Sequence, residues 1–376
     1  MIENRLNFID LKSQQQKILP GLLERIQRVL AHGQYILGPE VQELEERLAA
    51  YVGVKHAISC ASGTAALLMP LMAYGVGPGD AIFTTPFTFI ATAEVIGLLG
   101  ATPVFVDIDP RTFNINPKTL AAALDSLGNN PKTSHLKPKG VIPVDLFGQP
   151  ADYDEINPLA KKHGLFVLED AAQAFGAIYK GRPAGSLAEV AGTSFFPAKP
   201  LGGYGDGGAI FTNDDALAAT LKSIRVHGQG ANKYENVRLG LNGRLDTLQA
   251  AILLTKLEIF PEEIAARQKV AQRYSAGLQN AVEVPYVSPD CTSVWAQYSV
   301  LSDRRAELQE KLKRAGIPTA VYYSIPLHRQ GAFAHLGHKA GDFPVSEQAA
   351  GRIFSLPMHP YLSKEDQEKI MKVLLD

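Results

Sequence analysis

Short, continuously apolar runs recur at residues 57–60, 81–84, 102–106, 141–144, 165–168 and 209–212, with segments of helical length between them. This alternation is the strongest constraint on the fold. A strand with one wet face alternates apolar and polar side chains. These runs do not, so their sheet is expected to be parallel or mixed and covered by helices on both faces. The intervening segments carry the helical period: Leu67, Leu68 and Leu71 follow a turn at Ala61-Ser62-Gly63, a helix is expected over 88–99, and another ends near Ile224. The expected class is α/β.

Upstream, Leu19, Leu22, Leu23, Ile26, Val29 and Leu30 mark one helical stripe. A second helix opens at Gly38-Pro39, proline being suited to the first helical position, with Val41, Leu44, Leu48 and Tyr51 on its apolar side. Residues 127–140 are polar and rich in turn formers and read as an exposed loop. A long helix over about 245–274 leads into a smaller α/β unit, with strands at 298–301 and 319–323, a helix at 308–315 and a last helix from Lys364. The chain is therefore divided into N-terminal helices with a large domain, 1–255, and a small C-terminal domain, 256–376.

With 37 basic and 38 acidic side chains, the chain lacks the cationic excess of a nucleic-acid-binding surface. No window approaches the roughly 18 uninterrupted apolar residues of a membrane span. The early charges of Glu3 and Arg5, with no long apolar stretch after them, are unlike a secretory signal. A cytoplasmic protein with neither nucleic acid nor membrane as partner is expected. Cys60 and Cys291 match neither a disulfide framework nor a metal signature, so no metal is expected, and Cys60 reads as a small buried residue.

Three local features offer chemistry. Ser62-Gly63-Thr64-Ala65 lies between a strand and a helix, where unpaired amides and the helix dipole favour an anion, although many α/β proteins carry a small-residue turn there. Asp170 follows an apolar strand, at the sheet edge where open α/β sheets bind ligands; it could serve a ligand, cap the next segment or hold a metal. Lys199 stands in Ser194-Phe195-Phe196-Pro197-Ala198-Lys199-Pro200-Leu201, an apolar, proline-flanked setting that disfavours a free ammonium. A Schiff base would remove that charge, and an ordinary loop lysine is the alternative.

Taken together, Asp170-Ala171-Ala172-Gln173, the Ser194-to-Lys199 segment and Gly205-Asp206-Gly207-Gly208 resemble the DegT/DnrJ/EryC1/StrS family of nucleotide-sugar aminotransferases. The likeness extends from Phe8-Ile9-Asp10-Leu11 to Ser355-Leu356-Pro357-Met358-His359-Pro360. It implies the fold type I, aspartate-aminotransferase-like architecture: a mostly parallel seven-stranded sheet in the large domain and a smaller C-terminal α/β domain. It also implies pyridoxal 5'-phosphate as cofactor. Lys199 matches the Schiff-base lysine and Asp170 the partner of the pyridine nitrogen. Gln173 matches the residue beside the phenolic oxygen, and Gly63, Thr64, Ala65 and Ser194 match phosphate-binding positions. Phe89, which alone would read as a core aromatic, matches a residue stacked on the ring. Gly240-Leu241-Asn242-Gly243-Arg244 resembles a segment whose asparagine, here Asn242, reaches the phosphate of the other subunit, implying a homodimer.

The lysine distinguishes the chain from family members that carry histidine there and act as dehydratases. Segments including Ala31-His32-Gly33-Gln34-Tyr35 and Ile325-Pro326-Leu327 particularly resemble the branch that moves an amino group from L-glutamate to C3 of a UDP-linked 2-acetamido-3-keto-hexuronate, for bacterial surface polysaccharide. Arg244 is the candidate for a carboxylate, with a salt bridge as its alternative. Tyr323 is a candidate sugar contact, and so is Tyr322, where that branch has histidine. His328 is either a surface or interface residue or a ligand contact. Alternatives are amination at C4 or C3 of another keto nucleotide-sugar, and a non-catalytic cofactor-binding regulator.

Overall fold

The computed structural model describes residues 6–129, 133–232 and 234–376. Two helices come first, α1 (Leu11–His32) and α2 (Pro39–Val52). The alternating region follows as β1 (His56–Cys60), α3 (Gly63–Ala73), β2 (Asp80–Thr84), α4 (Ala91–Leu98), β3 (Thr102–Phe105), α5 (Pro117–Ser126), β4 (Lys137–Ile142), α6 (Tyr153–Lys162) and β5 (Phe166–Asp170). Next come the short β6 (Ile178–Tyr179) and β7 (Arg182–Pro183), then β8 (Val190–Ser194), β9 (Gly208–Thr212) and α7 (Asp215–Ile224). The long α8 (Thr247–Leu278) leads to β10 (Cys291–Thr292), β11 (Tyr298–Leu301), α9 (Arg305–Arg314), α10 (Pro344–Arg352), β12 (Ile353–Leu356) and α11 (Lys364–Leu375).

The main sheet has seven strands in the order β1-β9-β8-β5-β4-β2-β3. Its pairs are parallel except those of β9, which is antiparallel to β1 and to β8. The carboxyl ends of β1, β2, β5 and β8 therefore emerge at one edge, where β9 begins. Helices cover both faces, as continuously apolar strands require. Ile58, Ile82, Leu168 and Ile210 pack with residues of α3, α4 and α7. On the opposite face Phe83, Val141 and Val167 meet α5 and α6, and Ala57, Ala191 and Phe211 meet α2 and α8. Cys60 is fully buried, and its thiol is pushed up to about 12 by that burial.

Several expectations need correction. On α1, Ile18, Leu22 and Val29 are buried, but Leu19, Leu23 and Leu30 are 38%, 48% and 55% exposed, because α8 covers only one side of the helix. The end of the expected 127–140 loop is strand: Lys137 and Pro138 pair with β2, and Lys139 bonds to Asp80 at 2.8 Å (130–132 lie outside the described residues). The strand expected at 319–323 is absent; its pairing is limited to a single bridge from Ala320 to Ser355 of β12, which itself pairs with β11. Helix α4 begins at Ala91 rather than Thr88. Helix α8 continues through residue 255: Phe260 still packs with α2, whereas Val270 and Tyr274 pack with β11, β12, α9 and α11.

Candidate active site

Each strand end at the shared edge delivers part of one site. After β1, the Ser62 hydroxyl accepts from the Ala65 amide at 3.1 Å and the Ser62 carbonyl from the Ala66 amide at 3.0 Å. The amides of Gly63 and Thr64, at the first helical positions of α3, have no intrahelical acceptor and lie at the positive end of its dipole. A Cβ on Gly63 would lie 2.6 Å from Ser194 Cβ and 2.9 Å from its Oγ, so the α3 turn and the end of β8 are in direct contact.

Asp170 ends β5 with 4% exposure. Its Oδ2 accepts from the Thr92 hydroxyl at 2.8 Å and its Oδ1 from the Ala172 amide at 3.2 Å. Burial pushes its carboxyl up, opposed by those two bonds and by the charge of Lys199. Lys199 sits on the β8–β9 connection, its amide donating to Phe196 O at 2.8 Å. Desolvation pushes its ammonium below the usual lysine value, with Asp170 opposing. The two groups are near enough for each charge to act on the other.

Gln173 is clamped at both ends: its Oε1 accepts from the Phe147 amide at 2.7 Å and its Nε2 donates to Tyr323 Oη at 3.1 Å. Burial pushes the Tyr323 hydroxyl up. The Tyr323 ring meets the buried Phe87 edge-on at 6.2 Å, whereas Phe89 is 56% exposed and leaves its face open. Tyr322 is half-buried, 5.8 Å from Tyr323 and 6.4 Å from Phe8. Asn242 is exposed, on a segment whose Gly243 carbonyl accepts from the Ala61 amide at 3.0 Å. Arg244 is half-buried, with its Nε bonded to nothing among the described residues. His328 is neither a surface residue nor a member of this constellation: it is buried and bonds Glu347 at 3.0 Å.

The sequence reading missed Thr92, Phe147 and Lys256. Lys256 is 1% exposed, donates to Gly202 O at 2.7 Å and lies 4.2 Å from the Tyr204 ring centroid, pinning the loop that follows Lys199. Burial pushes its ammonium down to about 8. A lone lysine in the otherwise apolar stretch 250–257 was the available signal.

The strand-end carboxylate, the desolvated lysine and the amide-lined helix turn on this sheet define an aminotransferase of fold type I. The chain belongs to the DegT/DnrJ/EryC1/StrS aminotransferase family, whose model matches residues 18–375, and is a nucleotide-sugar aminotransferase. Over 358 residues it is 56% identical to the UDP-2-acetamido-2-deoxy-3-oxo-D-glucuronate aminotransferase of Pseudomonas aeruginosa, covering 95% of this chain and 96% of that one. A crystal structure of a DegT DnrJ EryC1 StrS aminotransferase from Brucella abortus superposes with a TM-score of 0.95 at 50% identity, covering 98% of both chains. DesV of S. venezuelae, solved in complex with a ketimine intermediate, gives a TM-score of 0.93 at 36% identity over 98% of this chain and 97% of that one. Aminotransferases of this family use pyridoxal phosphate, and the residues here fit it. Gly63 leaves no space for a side chain beside Ser194, so the unpaired amides at the start of α3 and the Ser194 hydroxyl lie close together, as a phosphate cradle needs.

Proposed function

We propose that the enzyme transfers the amino group of L-glutamate to C3 of UDP-2-acetamido-2-deoxy-3-keto-hexuronate, supplying an amino sugar for bacterial surface polysaccharide. The reading is carried by the opposed Asp170 and Lys199 at the end of β5, taken with the high identity to the Pseudomonas enzyme. When bound, pyridoxal phosphate supplies an electron-withdrawing ring that stabilises negative charge on the carbon losing a proton. Lys199 holds that proton and returns it on the other side of the transfer. Its desolvated amine loses its charge more easily than a solvated lysine, as a general base near neutral pH needs. Asp170 sits where it favours a protonated ring nitrogen, and Thr92 keeps its carboxylate oriented. Gly63, Thr64, Ala65 and Ser194 would receive the phosphate, Phe89 would cover the ring, and Gln173 would hold the phenolic side.

The same proposal assigns Arg244 to a carboxylate of the uronate or of glutamate, with Tyr322 and Tyr323 against the sugar. It makes the working unit a homodimer in which Asn242 crosses to the partner's phosphate position. The exposed Leu19, Leu23 and Leu30 on α1 and Leu239, 89% exposed beside Asn242, supply the apolar surface such a pairing buries. The decisive assay is glutamate-dependent amination over a panel of UDP- and TDP-linked 3-keto and 4-keto sugars, with the amino position fixed by NMR. Preferred turnover of a 4-keto or non-uronate substrate would overturn the substrate assignment. Absence of any glutamate-induced change in the absorbance of cofactor-loaded protein would overturn the reaction.

A further inference from the structure

Directly behind Asp170 lie two carboxyl groups that the transfer reaction does not use. Asp145 and Glu169 are both 0% exposed, and their side chains are near enough for each to act on the other directly. Neither pairs with a lysine, arginine or histidine among the described residues. Glu169 accepts from the Gly185 amide at 2.5 Å through one oxygen and from the Leu187 amide at 2.9 Å through the other. Asp145 Oδ1 accepts from the Ala151 amide and from Tyr153 Oη, both at 2.9 Å. Of the four carboxyl oxygens, Asp145 Oδ2 alone has no N–H or O–H donor. Two ionised carboxylates in contact and out of water are not tolerated; one proton between them converts repulsion into a strong hydrogen bond.

We propose that Asp145 and Glu169 share one proton, carried on Asp145 Oδ2 and donated to Glu169, and that the pair positions Asp170 and Gln173. The inference rests on the reading of those two residues as cofactor contacts for its functional part only. Three segments are joined by the pair. Glu169 adjoins Asp170 on β5 and holds the turn at 185–187. The Asp145 amide donates to the Asp170 carbonyl at 3.0 Å, and two residues on, the Phe147 amide holds Gln173. The other titratable groups facing the pair are Tyr153, Asp170 and Cys291, and burial pushes the Tyr153 hydroxyl and the Cys291 thiol up, so neither ionises near neutral pH. Burial and the neighbouring charge push Asp145 well up, and burial also raises Glu169.

The two positions are chemically unequal, and that separates this arrangement from simple packing. Asn at 145 reproduces a protonated carboxyl, accepting at Oδ1 and donating to Glu169 from Nδ2. Gln at 169 cannot accept two backbone amides, since one would face its own NH2. The test uses the cofactor-loaded enzyme, its D145N and E169Q variants, infrared difference spectroscopy of the protonated-carboxyl stretch, and melting followed against pH. Wild type is expected to show a buried protonated-carboxyl band at neutral pH that D145N loses. D145N should match the wild-type Tm below the unfolded carboxyl pKa of about 4 and exceed it progressively as pH rises from there, since a carboxyl whose folded pKa is raised loses stability over the span from its unfolded to its folded value. E169Q should melt about 1–4 °C lower throughout and shift the visible absorbance of the bound cofactor, which D145N should leave in place. A wild-type enzyme without the band, a band surviving in D145N, or tolerance of E169Q with loss of D145N would overturn the proposal. The wild-type band requires neither variant to fold and does not depend on the cofactor reading, so failure of that reading is seen separately.

Discussion

Gly63→Ala tests the geometry of the site at its tightest point. The added Cβ would meet Ser194 Cβ at 2.6 Å, its Oγ at 2.9 Å and its Cα at 3.3 Å. Sliding α3 towards the sheet gives no relief, because Ala66 O would already lie 2.9 Å from a Cβ on Gly192, and Ser62 O 2.5 Å from one on Gly208. Overpacking of this kind costs roughly 1–3 kcal/mol. At about 2.1 cal/mol/K of unfolding entropy per residue, a chain of 376 residues should then lose about 1–4 °C of Tm. Displacing the turn would also remove an amide from the proposed phosphate position. A charge-assisted bond of about 1.5–3 kcal/mol corresponds to a fall in cofactor affinity of about ten- to a hundred-fold. Thermal unfolding and absorbance titration of cofactor-stripped protein measure the two effects. Ser194→Gly removes the colliding atoms, so the Tm penalty of Gly63→Ala should shrink in that background while the affinity loss persists. A variant with unchanged Tm and affinity, or a penalty indifferent to Ser194→Gly, would refute the assigned contact.

Thr92→Val removes a 2.8 Å bond that opposes the upward push of burial on Asp170; the acidic limb of the kcat/KM profile should move to higher pH, and an unmoved limb would count against Asp170 acting as a carboxylate. Lys256→Met should flatten part of the pH dependence of stability: a lysine lowered to about 8 destabilises the fold below that pH, and the penalty fades as pH rises towards the unfolded value. The Tm of wild type should therefore rise relative to that of the variant between pH about 8 and 10, and parallel curves would contradict the burial argument. If Asn242 acts across the dimer, mixing inactive Lys199→Ala with inactive Asn242→Ala chains should restore up to about one quarter of wild-type activity, since half the dimers then carry one intact site; no recovery on verified subunit exchange would place Asn242 in its own subunit's site.

Strands β2, β5 and β9 were legible because both faces of each are buried and the side chains say so directly. Strand β8 was not, and the reason is local: Gly192 and Ser194 are small because α3 lies against them, so close approach rather than hydrophobicity selected the sequence. The stretch at 319–323 looks like a strand in isolation, yet it pairs with β12 only through the Ala320–Ser355 bridge, too little for a strand. Lys199, Asp170 and Ser194 were found through their motif spacing. Thr92 and Phe147 reach Asp170 and Gln173 from 78 and 26 residues away, through single hydrogen bonds that leave no periodic trace. The buried carboxyl pair escaped for the same cause: Glu169 was visible beside Asp170, but its partner, 24 positions earlier in the chain, follows an ordinary apolar strand.

The return of the Lys199 loop to the sheet edge that carries Asp170 follows from one departure from parallel order. Had β9 run parallel to β8, a crossover would have carried the chain from the edge at Ser194 to the opposite edge, away from Asp170. Because β9 is antiparallel, the connection 195–207 must turn back along the edge it left, and Ser194 pairs with Gly208 to close it. Gly208 also pairs with Cys60 and lies against the Ser62 carbonyl. One glycine thus ties the lysine-bearing loop to the turn at Ser62, while Lys256 holds the far side of that loop at Gly202. The distance from Lys199 to the phosphate position is therefore a property of sheet topology, whereas Arg244, Tyr322 and Tyr323 stand on half-buried segments outside these strands. If these residues contact the sugar as proposed, replacing one of them leaves the strand pairing intact, so substrate choice can vary on this framework without disturbing Asp170 or Lys199.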